Sequence, residues 1–147
     1  MNNLNINLKL LNKDIKPPEY IRIDDCGFDL RSSKKYKIKP QERCLVDCGF
    51  AIAIPSGFAG LILPRSGLAL KHGISIVNTP GLIDSNYRGE IKVVLLNTDK
   101  DKSFEININD RIAQMIIIPY MSCDFNYVDK LDNTQRNTSG FGSSGRQ

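Results

Sequence analysis

The segment Phe50-Ala51-Ile52-Ala53-Ile54, followed by Pro55-Ser56-Gly57, decides the fold class. Its large apolar residues recur at every second position, which is the period of a β-strand with one face in a core, and the Pro-Ser-Gly triplet marks a turn. The same period recurs outward along the chain, at residues 4–10, 91–95 and 104–108. The pattern predicts an all-β domain of short antiparallel strands, arranged as a sandwich or barrel.

Residues 66–71 break this period of two. Ser66 and Gly67 precede Leu68-Ala69-Leu70, an order typical of a capped helix start. We therefore expect a single short helix here, capped by Ser66-Gly67. From about Asp129 the apolar pattern stops, so we expect a β domain over residues 1–128 and a flexible Gly/Ser-rich tail over residues 129–147.

Composition excludes several classes of protein. The chain has 147 residues, of which 41% are hydrophobic and 24% charged, values that argue against disorder, collagen and coiled coil. The four cysteines have no zinc-type spacing and His72 is the only histidine, so a protein-ligated transition metal is not expected. The chain shows neither a secretory signal at its start nor an apolar run long enough to span a membrane. We expect a cytoplasmic protein with free thiols.

The charge distribution does not favour a nucleic-acid partner. Twenty Lys and Arg against 16 Asp and Glu give a net charge of +4. The one basic cluster, residues 34–39, alternates its lysines with Tyr36 and Ile38. This alternation indicates a solvated strand face rather than a nucleic-acid patch.

The stretch Leu63-Pro64-Arg65-Ser66-Gly67-Leu68 carries groups suited to an anion. It joins a strand end to the predicted helix start, where unpaired N–H groups point outward, and Arg65 adds a fork of donors that matches phosphate. Taken alone, the stretch also fits an ordinary capped turn with an exposed arginine.

A second stretch, residues 80–90, contains a carboxylate in a place suited to acid–base chemistry. Asp84 follows two apolar residues and precedes a polar turn, so it can accept a proton from an attacking water. The alternative is an Asx-turn at Asp84, with Tyr87 covering a strand edge.

The tail forms the third suggestive stretch. Arg136 and three glycines flank Phe141, which gives backbone amides for phosphates and an aromatic ring for a base. The alternative is a flexible chain terminus without a binding role.

With these three stretches in this order, the chain resembles the trimeric deoxyuridine triphosphatase (dUTPase) family, and all five motifs of that family are present. The matching residues are Cys26-Gly27-Phe28-Asp29-Leu30, Pro64-Arg65-Ser66-Gly67-Leu68-Ala69, Gly81-Leu82-Ile83-Asp84-Ser85-Asn86-Tyr87-Arg88-Gly89, Arg111-Ile112-Ala113-Gln114 and Arg136-Asn137-Thr138-Ser139-Gly140-Phe141-Gly142-Ser143-Ser144-Gly145. Two departures stand out. Cys26 replaces a frequent Ala, and Asn137 replaces the Gly that usually follows the last motif's Arg.

The resemblance implies a jelly-roll-like β fold, assembled as a three-fold homotrimer with sites shared between chains. It also implies Mg²⁺-dependent hydrolysis of dUTP to dUMP and pyrophosphate, which limits uracil incorporation into DNA and supplies dUMP for dTTP synthesis. Water attacks the α-phosphorus in this family. The three phosphates hold the metal, so no direct protein ligand is implied.

The same resemblance implies a role for each matching residue. Asp84 corresponds to the catalytic carboxylate that orients and deprotonates the water, and Asp29 to a carboxylate near the water shell of the metal. Lys92 lies beside the nucleotide in the family's register. The contacts to the phosphates correspond to Arg65, Ser66, Gly67 and Gln114. In the tail, which would act as a lid, Arg136, Gly142 and Ser143 correspond to the residues that close over the distal phosphates, and Phe141 to the ring that stacks on uracil.

Base and sugar selection are implied for residues 72–84 and the turn that follows. The Asn78 amide and the backbone of Gly81, Leu82 and Ile83 correspond to the groups that pair with the uracil edge. Tyr87 corresponds to the ring that packs under deoxyribose and excludes a 2′-hydroxyl.

Two other functions remain to be weighed. A dCTP deaminase shares the fold but needs a catalytic Glu near the nucleotide ring, whereas this motif carries Asp84. A nucleotide-responsive binding protein would bind dUTP without releasing pyrophosphate. A regulatory protein partner is compatible with the sequence, but no insertion indicates one.

Overall fold

The computed structural model describes residues 4–138, which form eleven β-strands and one α-helix. In chain order they are β1 (Asn7–Leu10), β2 (Phe28–Arg31), β3 (Tyr36–Ile38), β4 (Arg43–Asp47), β5 (Phe50–Ala53), β6 (Phe58–Leu63), α1 (Ser66–His72), β7 (Ile74–Ile76), β8 (Gly81–Ile83), β9 (Lys92–Asn97), β10 (Phe104–Ile106) and β11 (Arg111–Pro119). The prediction of an all-β domain with a single short helix is confirmed.

The strand pairs within residues 4–138 are all antiparallel. The largest sheet has the order β2-β11-β6-β8, and a three-stranded sheet has the order β4-β9-β7. Two further pairs, β1-β5 and β10-β3, complete the arrangement. The fold is of the jelly-roll-like all-β class.

The core is made by the alternating apolar side chains. On β9, Val93 and Leu95 are buried while Lys92 is exposed, and on β5 both Phe50 and Ile52 are buried. Burying one such side chain stabilises the fold by about 1.5–3 kcal/mol. A one-residue slip would turn a whole strand's apolar face outward, so the alternation also sets the register.

The first strand departs from this rule. All four residues of β1 lie at the surface, and Leu8 and Leu10 are each 39% exposed. The strand that the alternation predicts is present, but its side chains lie at the surface. β1 pairs with β5 alone, in a two-stranded sheet.

The helix lies where it was expected, but its cap differs. The N-cap residue is Arg65, in an extended conformation and without a side-chain cap hydrogen bond, so Ser66 is already helical. The predicted Ser66-Gly67 cap is therefore wrong, because the chain turns into the helix one residue earlier. The Arg65 side chain is instead engaged with Asp29. The helix ends at Gly73, whose φ of 62° suits a residue without a Cβ atom.

The chain after β11 has no regular structure as far as it is described. Residues 120–138 contain no helix or strand, and their apolar side chains are exposed, including Met121, Phe125 and Tyr127, which is 99% exposed. The division at residue 128 and the flexibility of the tail stay predictions.

The basic cluster at residues 34–39 lies on a solvated face. Lys37 pairs with Glu105 at 3.1 Å across β3 and β10, and Lys39 pairs with Glu42 at 3.8 Å. Exposed pairs of this kind contribute about 0–1 kcal/mol each.

The cysteines are free thiols, as expected. Burial raises the pKa of the Cys48 thiol to about 12, so this thiol is inert at neutral pH. Between residues 4 and 138 no helix has the length and apolar character needed to cross a membrane.

Asp47, at the end of β4, is a buried carboxylate with two cationic partners. Lys34 lies 2.5 Å and Lys92 2.8 Å from its oxygens, and the Asp47 N–H donates to the Tyr36 hydroxyl at 3.1 Å. Hydrogen bonds from Lys34 and Lys92 lower the pKa of Asp47 to about 2.

We expect the Asp47→Asn variant to melt below the wild type near pH 7, with the gap closing as the pH falls. The pKa of Asp47 in the folded state is about 2, below its ordinary value. The ionised carboxylate therefore stabilises the fold fully above about pH 4 and loses this contribution as the pH falls toward the folded pKa. Thermal melts followed by circular dichroism across this range measure the gap.

The control is Glu105→Gln, which removes an exposed ion pair and should change the melting temperature little at any pH. A gap between wild type and Asp47→Asn that stays constant as the pH is lowered would contradict the assignment.

Candidate functional site

A cationic cleft opens where β6 runs into α1. It has a volume of about 320 Å³, and its lining includes Asp29, Arg65, Ser66, Gly67 and Gln114. The pairing of β11 with both β2 and β6 brings these residues together, because Gln114 lies opposite Asp29 on one side and Leu63 on the other. Four residues that the sequence assigns to phosphate contacts thus share one cleft.

Asp29 organises the charges in this cleft. Its two carboxylate oxygens lie 3.2 Å from Arg65 Nε and 3.1 Å from Arg111 Nη1. Arg65 Nη1 also donates to the Arg111 carbonyl oxygen at 2.9 Å, and Gln114 Nε2 donates to the Pro64 carbonyl oxygen at 3.0 Å. The Arg65 guanidinium is therefore held at its Nε edge and one terminal nitrogen.

Electrostatics in the cleft favour an anion. Partial burial is the largest cause that lowers the pKa of Arg65, with smaller contributions from Arg111 and Arg31, while Asp29 opposes the shift. An arginine stays protonated under all these influences. One carboxylate between two guanidiniums leaves net positive charge to be neutralised by a ligand.

Arg111 opens the fourth motif, but the resemblance implied no role for its side chain. It lies in the cationic cleft because β11 has a register shift between Arg111 and Ala113. Arg111 pairs opposite Arg31 and Gln114 opposite Asp29, so three steps on β11 match two on β2. The extra residue of this bulge puts both side chains on one face.

A second cleft of about 300 Å³ lies beside the end of β8. It is lined by Leu82, Ile83, Asp84, Tyr87 and Lys92, together with Leu45 and Glu90. Asp84 is exposed directly after the strand, and its carbonyl oxygen, rather than its carboxylate, accepts the Tyr87 N–H at 3.1 Å. Within residues 4–138 the Asp84 carboxylate forms no hydrogen bond or ion pair, so it can accept a proton from a water in this cleft.

The residues assigned to base selection lie next to the second cleft. Asn78 is exposed before the cis Thr79–Pro80 bond, and it shares a small cavity of about 50 Å³ with Gly81, Leu82 and Ile83. A Cβ atom at Gly81 would lie 3.5 Å from the Asn78 Nδ2 atom. This is an ordinary van der Waals distance, so the Asn78 amide lies directly beside the backbone of β8.

Lys92 lies at the boundary between this cavity and the second cleft. Its Nζ atom is 2.8 Å from Asp47 and 3.5 Å from Glu90. Its ammonium group is thus already paired in the single chain, a partnership that the sequence did not reveal.

The two clefts share no lining residue. The residues predicted to bind phosphate and the residue predicted to activate water therefore line different clefts of one chain. Arg136 lies in the exposed segment after β11 and lines neither cleft. Phe141, Gly142 and Ser143 lie outside the described residues.

No cluster of His, Cys, Asp and Glu side chains in the described part of the chain could hold a metal ion. Asp29, the carboxylate in the cationic cleft, already has two arginine partners. The donors here fit an anion and not a bare cation.

Comparison with known proteins agrees with this geometry. The dUTPase family model matches residues 13–145. The deoxyuridine 5'-triphosphate nucleotidohydrolase of Tropheryma whipplei (strain Twist) is 54% identical over 122 residues, which cover 83% of this chain and 84% of that protein.

Two solved structures share the fold. A mutant dUTPase of Staphylococcus bacteriophage 80alpha, solved with dUpNHpp, has a TM-score of 0.90 at 27% identity and covers 96% of this chain and 98% of its own. A mutant dUTPase from phage phi11 of S. aureus, described with a coordinated structural Mg(II) ion, has a TM-score of 0.79 at 24% identity, over 86% of this chain and 98% of its own. Because the family model covers nearly the whole chain, and the bacterial relative shares more than half of the aligned residues, the chain belongs to the dUTPase family, the hydrolases that convert dUTP to dUMP and pyrophosphate.

Proposed function

We propose that this chain hydrolyses dUTP at a site assembled from three copies of itself, in which Asp84 activates the attacking water. One observation carries this proposal. The Asp84 carboxylate, which has no hydrogen bond or ion pair within residues 4–138, lies in a different cleft from Arg65 and Gln114, and this separation supports a site shared between chains.

The reaction is a displacement at the α-phosphorus. The Asp84 carboxylate takes a proton from water as the water oxygen forms its bond to phosphorus, and the bond from phosphorus to the bridging oxygen of pyrophosphate breaks. The products are dUMP and pyrophosphate. Such chemistry depends mostly on positioning and on neutralising oxygen charge, which suits a site with many donors and one carboxylate.

The cationic cleft would hold the phosphates. Arg65 presents the donors that Asp29 and the Arg111 carbonyl leave unused, and the backbone at Ser66 and Gly67 lies open beside it. A Cβ atom at Gly67 would meet no atom within 4 Å, so a ligand can approach this backbone. In the proposed lid, Arg136, Gly142 and Ser143 cover the distal phosphates and Phe141 stacks on uracil.

Magnesium would enter with the nucleotide. The cleft offers arginine and amide donors to the phosphates, and phosphate oxygens together with water make the oxygen ligand set that Mg²⁺ prefers. Asp29, in the lining of this cleft, would contact the water shell of the ion, as the resemblance to the family implies. When bound, the ion neutralises phosphate charge.

Selection of uracil and deoxyribose would occur on the other side of the site. The Asn78 amide and the backbone of β8 face a cavity too small for more than a ring edge. A site built to pair one donor–acceptor pattern rejects the wrong base by up to about 10⁴-fold, because its own polar groups stay unpaired. Tyr87 would exclude a 2′-hydroxyl by contact.

We expect the Asp84→Asn variant to bind dUTP while its turnover falls by roughly 10²–10⁴-fold, the usual effect of removing a positioned general base. Pyrophosphate release measures turnover, and calorimetry with a non-hydrolysable dUTP analogue measures binding. Near-normal turnover would show that another group activates the water.

The substrate panel for wild type is dUTP, dCTP, dTTP and UTP, with pyrophosphate as the readout. Comparable rates with all four would contradict the selectivity, and binding of dUTP with no pyrophosphate would favour the role of a nucleotide-responsive binding protein.

We expect Arg65→Lys to lower kcat/KM for dUTP by roughly 10–100-fold, the loss from charge-assisted hydrogen bonds that the planar fork makes and an ammonium cannot. The charge is unchanged, so the effect isolates geometry. Arg43→Lys, at an exposed place on β4, is the matched control and should behave as wild type. Wild-type kinetics for Arg65→Lys would mean that charge alone matters.

We expect two inactive variants to restore activity when mixed in one trimer. One variant carries Asp84→Asn with an intact tail, and the other lacks residues 136–147 but keeps Asp84. If each site takes these two parts from different chains, either mixed trimer contains one complete site in three. Random co-assembly of equal amounts makes about three quarters of the trimers mixed, so about one quarter of wild-type activity should return.

Size-exclusion chromatography coupled to light scattering, with one variant tagged, verifies that the trimers are mixed. Mixed trimers that remain inactive would show that Asp84 and the tail act within the same chain.

A further inference from the structure

The ring of Tyr87 is fastened to the backbone of its own turn, residues 84–90. Its hydroxyl donates to the Glu90 carbonyl oxygen at 3.0 Å, and its N–H donates to the Asp84 carbonyl oxygen at 3.1 Å. Arg88 Nη1 closes the turn further by donating to the carbonyl oxygens of Ser85 and Tyr87, at 2.6 and 2.8 Å. The ring therefore moves with the turn.

Gly89 shows how closely the ring covers this backbone. A Cβ atom at Gly89 would lie 2.6 Å from the Tyr87 Cζ atom, a distance that side chains do not adopt. The ring thus occupies the space that a side chain would take at residue 89. The position of the Tyr87 ring in the second cleft therefore depends on the position of the backbone of residues 89 and 90.

Glu90 is the side chain that ties this end of the turn to the β-sheet structure. Its Oε1 atom accepts the Gly49 N–H at 2.8 Å, and its Oε2 atom lies 3.5 Å from Lys92 Nζ. Lys92 is in turn 2.8 Å from the buried Asp47. The next residue, Ile91, makes backbone hydrogen bonds with Phe50 and Cys48, so the chain beyond the turn is already in place.

Gly49 makes a rigid anchor for Glu90. Its φ of 72° is left-handed, and a Cβ atom there would lie 2.8 Å from the Ser33 Cβ and 2.9 Å from the Ile15 Cδ1. The Gly49 carbonyl oxygen accepts the N–H groups of Leu11 and Asn12. Packing and these hydrogen bonds fix the backbone of Gly49. Its N–H therefore points in one direction, toward the Glu90 carboxylate.

We propose that Glu90 is a positioning residue for sugar selection, which holds the Tyr87 ring against the deoxyribose through its bond to the Gly49 N–H. This role rests on the proposed function, in which Tyr87 excludes a 2′-hydroxyl. Glu90 does not touch the reacting atoms. It fixes the backbone to which the Tyr87 hydroxyl is hydrogen-bonded. Without this anchor the ring would be able to move away and leave space for the 2′-hydroxyl of ribose.

The test compares dUTP and UTP as substrates of wild type, Glu90→Ala and Glu90→Gln. For Glu90→Ala, the ratio of kcat/KM for dUTP to that for UTP should fall by roughly tenfold or more, the effect of losing one charge-assisted hydrogen bond. KM for dUTP should rise while kcat stays within about threefold, because Asp84 directly follows β8 and keeps its place. Glu90→Gln retains an acceptor for the Gly49 N–H and should restore the ratio.

Glu105→Ala is the matched control. It removes an exposed glutamate whose partner is Lys37. Its ratio of kcat/KM for dUTP to kcat/KM for UTP should equal that of the wild type. If Glu90→Ala does not fold, Glu90→Asp replaces it, since the shorter side chain keeps the charge but withdraws from the Gly49 N–H. A lowered ratio in that variant supports the proposal, and an unchanged ratio overturns it.

Two further outcomes would overturn the role of Glu90. If Glu90→Ala loses kcat/KM equally for both nucleotides, the residue is structural and does not set sugar selection. If Glu90→Gln has a ratio as low as Glu90→Ala, the bond to Gly49 is not what positions the ring. Wild-type turnover of dUTP is measured first, so its absence contradicts the proposed function, whereas an unaltered ratio in active Glu90→Ala contradicts the role of Glu90 alone.

Discussion

Strand β11 is hydrogen-bonded along both of its edges, and the cationic cleft depends on this pairing. Gln114 lies opposite Asp29 on β2 and opposite Leu63 at the end of β6, one residue before Pro64-Arg65. Three segments that are far apart in the sequence therefore meet at one level of a sheet. If β11 slipped by one residue, Gln114 would point to the opposite face and the cleft would lose its amide.

The second cleft depends on a different kind of constraint. The turn of residues 84–90 is closed by its own backbone, and its far end is tied to the sheets by a chain of alternating charges that runs from Glu90 through Lys92 and Asp47 to Lys34. Each carboxylate in this chain has a cationic neighbour. A partly buried network of this kind favours one arrangement of the turn, because Glu90 loses its cationic partner if its contact with Lys92 is broken.

The hydrophobic period and the order of the motifs were enough to predict the fold class and the residues of the site. Features that depend on pairing between residues distant in the sequence were not predicted. Alternation along residues 50–54 and 91–95 was enough for the fold class, and the break at residues 66–71 was enough for the helix. The predicted cap of that helix was wrong because the helix begins at Ser66 itself, so that Arg65 is the N-cap residue and its side chain pairs with the distant Asp29. Leu8 and Leu10 alternate as core residues do, yet no local signal tells an edge strand from a covered one.

The residues of the candidate site were predicted, and the resemblance implied that they are shared between chains, but the contacts that hold these residues in place were not predicted. Motif order placed Arg65, Ser66, Gly67 and Gln114 together, and they do share one cleft. Neither the bulge that turns Arg111 toward Asp29 nor the pairing of Lys92 with Asp47 is visible in a linear pattern. Both arise from the register between strands, which the alternation of one strand alone does not specify.

The segment after β11 has a reach that follows from its length alone. Extended at about 3.3 Å per residue, residues 120–138 would span about 60 Å. A folded chain of this size has a radius of gyration of roughly 15 Å, so the segment is longer than the domain is wide. Its end can cross the whole surface of its own domain or pass to a neighbouring one. Evolution can therefore vary the residues of this segment more freely than their number, since a shortened segment falls short of a distant cleft whatever motif it carries.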